Sequence, residues 1–493
     1  MRRSKFSLSN YKLFSADMGE LVPCGLLEVL PGDTVQQATS ALVRCAPLLA
    51  PIMHPIEVRI HHWYVPHRLV WPGFEDFITG GPTGTDATAF PTINISTALS
   101  GVGSLADYLG IPPVAGSALT VSALPFRGYS LIWNEFYRDQ DLEAELVVNT
   151  GNGVDGTTNK TLQNISWERD YFTAARPWEQ KGPAITIPLG TRANISGIAV
   201  DNATAYTNAP GAMSQATGVA PAGTNWSGVG PSMRIRGDNT TKVPDIYADL
   251  TGASAVTVNV LREALALQRY EENRARFGSR YVEYLRYLGV KSSDGRMQRP
   301  EYLGGGNQVI QFSEVLATAE AGTAKVGDMK GHGIAAMRSN RYRRFFEEHG
   351  YVFSLMSVRP KAMYGSGLAR HWNRRTKEDF WQKELEGIGQ QEVLNKEVYI
   401  NHTTRDGVFG FSDRYAEYRN NPSSIGGEFR TTLNFWHESR IFASDPALNA
   451  TFTKCVPSGR IFAVPASDDL YVMAKHSIQA RRLVAPTGKS FIY

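Results

Sequence analysis

At 493 residues, with 51 Lys and Arg against 47 Asp and Glu, the chain carries a formal net charge of +4, which excludes a protein that is basic throughout. Forty-six Gly and 26 Pro argue for turns and long loops over a helical bundle, while 9 Trp, 21 Tyr and 22 Phe are many large aromatics for a chain only 42% hydrophobic. The length allows two or three ordinary domains, or one with large excursions, and no run of 18 apolar residues is present to cross a membrane as a helix.

Residues 1–20 read as a basic arm. Arg2, Arg3, Lys5 and Lys12 precede the first acid, Asp17, and only Phe6, Leu8, Tyr11, Leu13 and Phe14 offer anchors, so order is expected only against something else. The other end matches it: Lys475, Arg481, Arg482 and Lys489 follow the last acid, Asp469. Such ends are either phosphate contacts or solubilising termini. Nothing in the first residues reads as a signal peptide. From 21 to 49, short apolar runs alternate with Pro23, Pro31-Gly32 and Pro47, as strands joined by tight turns do.

Residues 56–78 form the most ordered-looking stretch. Ile56, Val58, Ile60, His62 and Tyr64 alternate with Glu57, Arg59, His61, Trp63 and Val65, which predicts a strand with one buried face. Trp63 on the polar side either closes a second layer or meets a neighbouring subunit. After Pro72, the spacing of Phe74, Phe77 and Ile78 predicts a helical turn ended by Gly80 and Gly81. Residues 80–123 read as a long loop with one short helix at 105–109, and 126–142 as a helix on which Trp133 and Phe136 are packing residues.

Residues 189–250 differ in kind, being rich in Ala, Gly, Thr, Asn and Ser with scattered apolar residues, and read as a surface insertion. Apolar residues at helical spacing over 260–288, interleaved with arginines, predict a helix that Gly278 breaks in two; glutamates offset much of that charge. Arg338, Arg341, Arg343 and Arg344 beside Phe345 and Phe346 suit single-stranded nucleic acid, or else form a charged loop that pairs with Glu347 and Glu348. A buried strand is expected at 351–358, an aromatic, helical stretch at 368–385, and two short final strands at 461–464 and 470–474.

No constellation for catalysis emerges. His61 and His62 point to opposite faces of their strand and cannot share a metal; there is no His-Glu-x-x-His or Gly-x-Ser-x-Gly, and Gly304-Gly305-Gly306 lacks the lysine and serine of a phosphate loop. The three cysteines, Cys24, Cys45 and Cys455, have no ligand spacing and read as reduced thiols. The expectation is therefore no enzyme, no metal and no cofactor.

Several phrases closely resemble one family. They include Leu30-Pro31-Gly32-Asp33, Tyr64-Val65-Pro66-His67-Arg68-Leu69-Val70-Trp71, Ser122-Ala123-Leu124-Pro125-Phe126-Arg127, Asn134-Glu135-Phe136-Tyr137-Arg138-Asp139-Gln140, Arg169-Asp170-Tyr171-Phe172, Gln298-Arg299-Pro300-Glu301-Tyr302-Leu303-Gly304-Gly305, Trp372-Asn373-Arg374-Arg375 and Arg414-Tyr415-Ala416-Glu417-Tyr418-Arg419. In this order they resemble the major capsid protein of small single-stranded-DNA bacteriophages of the microvirus group, in particular its gokushovirus-like branch. That family often has Asn where His67 stands.

The resemblance implies a mainly β fold, a single eight-stranded antiparallel viral jelly roll with long inter-strand loops, several helices and a surface insertion. About 60 copies would close an icosahedral shell around circular single-stranded DNA. The implied divisions are 1–20, the basic arm; 21–188, the first part of the shell domain; 189–250, an insertion forming a threefold protrusion; and 251–493, a helical excursion, the remaining strands and a basic tail. The implied partners are identical subunits, genomic DNA, an internal scaffolding protein, a minor DNA pilot protein and a host surface receptor, with assembly in the bacterial cytoplasm and residence in the virion.

On this reading Arg2, Arg3, Lys5, Arg338, Arg341, Arg343, Arg344, Arg481 and Arg482 are the DNA-contact candidates. Trp63, Trp71, Trp133, Phe136, Tyr137, Trp372, Tyr415, Tyr418 and Trp436 are candidates for subunit interfaces or internal packing, and Trp226 for attachment. The competing reading is a β-sandwich that binds a receptor or glycan on a phage particle.

Overall fold

The structure, a computed structural model, describes residues 3–183, 185, 194–196, 198–200, 233–235, 247–249, 258–278, 280–320 and 325–487. The chain divides into two compact units, one made of Met1–Glu179 with Phe277–Tyr493 and the other of Gln180–Arg276.

In the larger unit the long strands build two antiparallel sheets. The seven-stranded sheet is centred on Leu470–Arg482 and Thr34–Cys45. Ser4–Ser7 and Asn10–Ala16 both pair with the outer edge of Leu470–Arg482, while Met329–Arg338 and Tyr342–Phe345 share the far edge of Thr34–Cys45, and Gln311–Leu316 follows Met329–Arg338. The four-stranded sheet runs Glu301–Val309, Ile56–Pro66, Gly350–Pro360, Leu21–Val29. Consider only Asn10–Ala16, Leu21–Val29, Thr34–Cys45, Ile56–Pro66, Glu301–Val309, Met329–Arg338, Gly350–Pro360 and Leu470–Arg482, counted 1 to 8 along the chain. The first sheet then reads 1-8-3-6 and the second 2-7-4-5.

The period-two pattern dictates what lies between the sheets. Val43, Ala335, Met337, Leu470, Val472 and Ala474 from the first sheet meet Ile56, Val58, Ile60, Met356 and Val358 from the second in one apolar cluster. A second cluster, with Val35, Ile478 and Ala480 against Tyr64 and Val352, fills the other end. Between them lie buried polar groups that satisfy one another. His62 bonds Ser354 Oγ at 2.9 Å and Ser339 Oγ at 3.1 Å, and Gln37 donates to Ser354 Oγ at 3.1 Å. His476 bonds Thr39 Oγ1 and the Cys24 carbonyl, each at 2.8 Å. A buried donor without a partner is costly, so this closed set fixes how the two sheets register on each other.

Burial holds these imidazoles neutral, with His62 pushed down to about 3 and His476 also lowered. Elsewhere in the unit His54, His61 and His67 are each pushed down to about 4, first by burial. Below pH 6.5 the unfolded chain takes up protons that these five folded histidines refuse, so stability falls as the pH drops toward 4. Glu20 and Asp469 act oppositely, because burial and neighbouring carboxylates push each up to about 7, and stability declines as the pH rises toward that value. Glu143, Glu301 and Glu397 are raised too, but Glu57, Asp155, Asp379, Asp406 and Asp445 are lowered and side with the five histidines, so the balance falls with the histidines. Calorimetry is expected to show a lower melting temperature at pH 4.5 than at pH 6.5, and a flat or rising trend on acidification would contradict this account.

The outward side of the four-stranded sheet is covered by the excursion between Ile56–Pro66 and Glu301–Val309. Helix Leu124–Phe136 lies there, and Trp63 stacks on Phe136 with ring centroids 4.0 Å apart. Trp63 therefore closes a second layer, which also holds Trp71, Phe126, Tyr129, Trp133 and Phe353. The helix stops at Phe136, short of the expected 142, because Asp139 Oδ1 takes the N–H groups of Asp141 at 3.0 Å and Leu142 at 3.2 Å, a local turn that competes with the helical ladder.

Several expectations change. The described part of 1–20 is no detached arm: its alternating apolar residues put it on the edge of the seven-stranded sheet. The loop expected at 80–123 holds the helix Leu105–Leu109 and also strands Thr92–Ile95 and Leu119–Ser122. The polar loop around Arg338 is strand on both sides, Met329–Arg338 and Tyr342–Phe345. The stretch 368–385 forms short 3-10 turns in place of a helix, and 461–464 contributes one isolated bridge, Leu48 to Phe462. The single eight-stranded unit expected resolves into several sheets, the largest of seven strands, together with helices.

In the smaller unit, Asn194–Ser196 pairs with Tyr247–Asp249, and Ile198–Val200 with Met233–Ile235. Helix Val258–Phe277 belongs to this unit up to Arg276. The break expected at Gly278 is present, at φ +97°. A Cβ there would collide with the Glu283 carboxylate. Helix Tyr281–Tyr287 follows in the larger unit.

Candidate nucleic-acid interface

Directly opposed residues on neighbouring strands share a face, so the ladder registers show what the outward side of the seven-stranded sheet presents. Lys5, Arg481, Thr34 and Phe345 stand in one row. Two residues along come Ser7, Gln479, Gln36 and Arg343. Further on are Tyr11, Lys475, Ser40 and Arg338, then Leu13, Met473, Leu42 and Ala336, then Ser15, Tyr471, Arg44 and Ile334. The two ends of the chain and the arginine cluster, far apart in sequence, thus occupy one sheet face.

The charge on this face has one sign. Its outward positions carry Lys5, Arg44, Lys330, Arg338, Arg343, Lys475 and Arg481, all exposed. Glu314 is the sole carboxylate in the seven strands, and it lies opposite Gly331, on the other side of the sheet. None of these cations makes an ion pair among the described residues. Two cations lie instead over aromatic rings: Arg3 over Phe345 at 4.9 Å and Lys475 over Tyr11 at 5.4 Å. Tyr11 and Leu13 are 65% and 77% exposed, so the face is bare within the subunit. Lys5 and Arg481 oppose each other directly, an arrangement that destabilises an isolated sheet and is relieved by an anion between them.

Of the predicted contact residues, Arg3, Lys5, Arg338, Arg343 and Arg481 gather here; Arg341, exposed and without an ion pair among the described residues, sits in the short connection between Met329–Arg338 and Tyr342–Phe345. Arg344 and Arg482 do not join them. Arg344 reaches across the rim to Glu301 at 3.1 Å, and Arg482 reaches the fully buried Asp33 at 3.0 Å and the Glu28 carbonyl. Glu348 takes Arg68, and among the described residues the arginine cluster makes no ion pair with Glu347 or Glu348. Arg2 lies outside the described residues. Arg44, Lys330 and Tyr471 were not singled out from the sequence, and Tyr11 only as an anchor of the arm, although strict alternation along their strands would have placed them.

The aromatic candidates separate by burial. Trp63, Trp71, Trp133 and Tyr415 are at most 7% exposed, and Phe136, Tyr137 and Trp436 are half-buried. The Tyr137 hydroxyl is held by His61 at 2.7 Å and by Trp63 at 3.0 Å. Trp372 and Tyr418 are 72% and 49% exposed, with Phe380 and Trp381 exposed nearby in sequence. Trp226 lies outside the described residues. All three cysteines are buried thiols, each pushed up to about 12 by desolvation. Among the described residues no cluster of His, Cys, Asp or Glu is arranged to hold a metal, and no helix is long and apolar enough to cross a membrane.

Comparison with known proteins yields a family described as capsid protein (F protein), matching residues 1–491. The chain is 35% identical over 477 residues to capsid protein VP1 of Bdellovibrio phage phiMH2K, covering 91% of this chain and 87% of that one. It is 32% identical over 549 residues to capsid protein VP1 of Chlamydia phage 1, covering 95% and 92%. It is 29% identical over 510 residues to capsid protein VP1 of Spiroplasma virus 4, covering 95% and 90%.

Proposed function

This chain belongs to the capsid protein (F protein) family, and from that premise we propose that it is the major shell subunit of a small single-stranded-DNA phage of the microvirus group, in its gokushovirus-like branch. Its role is structural and virion-borne, and it is not an enzyme. About 60 copies close an icosahedral shell around a circular genome, with the bare face of the seven-stranded sheet turned to the DNA. The observation that carries this orientation is the absence of carboxylates from that face, set against a four-stranded sheet already covered by its own chain. A net charge of +4 per copy cannot neutralise a genome, so the contribution has to be local, and a concentrated basic face supplies it without reading sequence.

The strand orders 1-8-3-6 and 2-7-4-5 support a viral jelly roll as the shell domain, because strands 1 to 4 and 5 to 8 then alternate between two facing sheets while 4 and 5 pair directly. The excursions between its strands become the contacts between copies. The insertion at 189–250 forms the threefold protrusion and serves attachment to a host receptor. Assembly in the host cytoplasm engages an internal scaffolding protein, and a minor pilot protein accompanies the DNA. Electron microscopy of the purified chain, with and without scaffolding protein, tests this reading: closed particles support it, and a permanent monomer under both conditions defeats it.

Exposed aromatics in the excursion between Gly350–Pro360 and Leu470–Arg482 supply a finer test. Trp372 has little to lose in the isolated subunit, so Trp372→Ser is expected to change its stability by less than about 0.5 kcal/mol. At a subunit contact the same truncation costs about 1–2 kcal/mol per copy, and particle yield is expected to fall severalfold. Unchanged yield would place Trp372 outside the contacts.

A further inference from the structure

On the side of the four-stranded sheet turned away from the core, a cavity of about 410 Å³ opens between strands Ile56–Pro66 and Gly350–Pro360, the end of helix Leu124–Phe136 and helix Tyr281–Tyr287. Seven arginines and four carboxylates line it. The carboxylates are largely engaged. Asp139 faces Arg176, outside the lining, at 3.4 Å, and Glu283 accepts from Gln140 at 2.9 Å and from the Arg280 backbone N–H at 3.4 Å. Glu168 serves two guanidinium groups at once, Arg59 at 3.5 Å and Arg359 at 3.9 Å, and only Glu135 is left over.

Three of the arginines are paired outside the lining, Arg59 with Glu57, Arg138 with Glu145 and Arg299 with Asp294, so the under-paired cations are Arg359, Arg169 and Arg286. Arg359 is mostly buried and donates to the Ser166 carbonyl at 3.1 Å; the one carboxylate paired with it among the described residues, Glu168 at 3.9 Å, is shared with Arg59, which Glu57 already holds at 2.6 Å. Arg280 spends its guanidinium on the Asn134 and Glu135 carbonyls, which fastens helix Tyr281–Tyr287 over the cavity. Arg169 and Arg286 stand exposed at the mouth, with no ion pair among the described residues. His61 registers the resulting field: after burial, the charges of Arg59 and Arg359 are what hold it neutral. Buried arginines left short of acceptors bind oxyanions well, since the guanidinium fork matches two oxygens of a phosphate.

We propose that this cavity is an anion site that takes a phosphate ester, gripped by Arg359 on the wall and by Arg169 and Arg286 at the mouth. A volume of about 410 Å³ lies within the range of small-molecule sites and admits a mononucleotide. The site shares no residue with the basic sheet face and looks out from the opposite side of the sandwich, so a strand lying on that face does not fill it. The proposal stands whether or not the chain is a shell subunit. The ester has two possible sources, a free nucleotide or the phosphates of a DNA strand, and the chemistry is common to both.

The test is calorimetric titration of the full-length chain, in phosphate-free buffer, with thymidine monophosphate and separately with a thymidine octanucleotide. One saturable site per chain is expected for the monophosphate, and for the octanucleotide once Arg343→Gln with Lys475→Gln has weakened the sheet face. Arg169→Gln with Arg286→Gln alters only exposed, unpaired groups, so the fold survives, and binding is expected to weaken at least tenfold. Arg343→Gln with Lys475→Gln, on the basic sheet, is expected to leave monophosphate binding unchanged. Loss of monophosphate binding in the Arg169/Arg286 variant supports the site with a free nucleotide as its ligand. Loss confined to the octanucleotide supports it with a strand as the source. No saturable binding below about 10 mM, a concentration worth under 3 kcal/mol, or binding indifferent to Arg169 and Arg286, overturns the proposal.

Discussion

Replacing Lys5, Arg343, Lys475 and Arg481 together by glutamine is expected to weaken binding of single-stranded DNA by several hundred-fold at 0.1 M salt. Each cation that neutralises a phosphate on a single strand contributes about 0.7 to the slope of log affinity against log salt, so four of them contribute about 3, and about three decades at 0.1 M. All four are exposed, unpaired cations on the same outward face. Folding is expected to be unharmed, and relief of the Lys5–Arg481 repulsion favours the variant. Arg344→Gln and Arg482→Gln make the contrast. Their charges are engaged by Glu301 and by buried Asp33, so they are expected to lower stability and leave the salt slope nearly as it was. Affinity measured from 0.05 to 0.3 M salt separates the two sets. A slope unchanged in the fourfold variant would remove the sheet from the DNA interface and leave the orientation of the subunit without support.

The sequence disclosed this face only in fragments, and the reason is topological. Arg3 and Arg481 are each visible as basic, but nothing local says that the first and last strands lie side by side, since that pairing spans almost the whole chain. The strand Leu470–Arg482 was legible only to Ala474, because His476 stands at an inward position where an apolar residue continues the pattern elsewhere. Its burial depends on Thr39 and the Cys24 carbonyl, both remote in sequence. By contrast, Ile56–Pro66 was legible almost residue by residue, since its alternation is broken only at His62, Trp63 and Val65, and Gly278 marked its helix break through a backbone requirement that is local. The arginine cavity gave no signal at all. Its members come from two strands, a helix end, a loop and a second helix, and the excess of positive charge exists only once they are brought together.

A second large effect is expected from Arg127→Met, a loss of about 3–5 kcal/mol of stability, because removing one member of a buried ion pair strands the other charge. Arg127 and Asp155 have fully buried side chains and meet at 2.8 Å. Arg127 also donates to the Val70 carbonyl at 3.1 Å and the Gly151 carbonyl at 2.9 Å, tying helix Leu124–Phe136 to the turn under Trp71 and to the loop before Asp155. Burial alone would raise the Asp155 pKa, but donors from Thr158, Arg127 and Thr157 outweigh it and hold the carboxyl below its ordinary value. The methionine preserves volume and leaves that carboxylate without its cation. Adding Asp155→Asn is expected to return much of the loss, since the asparagine keeps an acceptor for Thr157 and Thr158 and no longer carries charge. If Arg127→Met unfolds within about 1 kcal/mol of the parent, or if the double variant is no better than the single, the pair does not hold this layer. Because the layer covers the four-stranded sheet and not the basic one, Arg127→Met is expected to spare the salt slope of DNA binding in whatever fraction remains folded. The fourfold basic variant should show the reverse pattern, and that dissociation would separate the face that meets the genome from the layer that stiffens the subunit behind it.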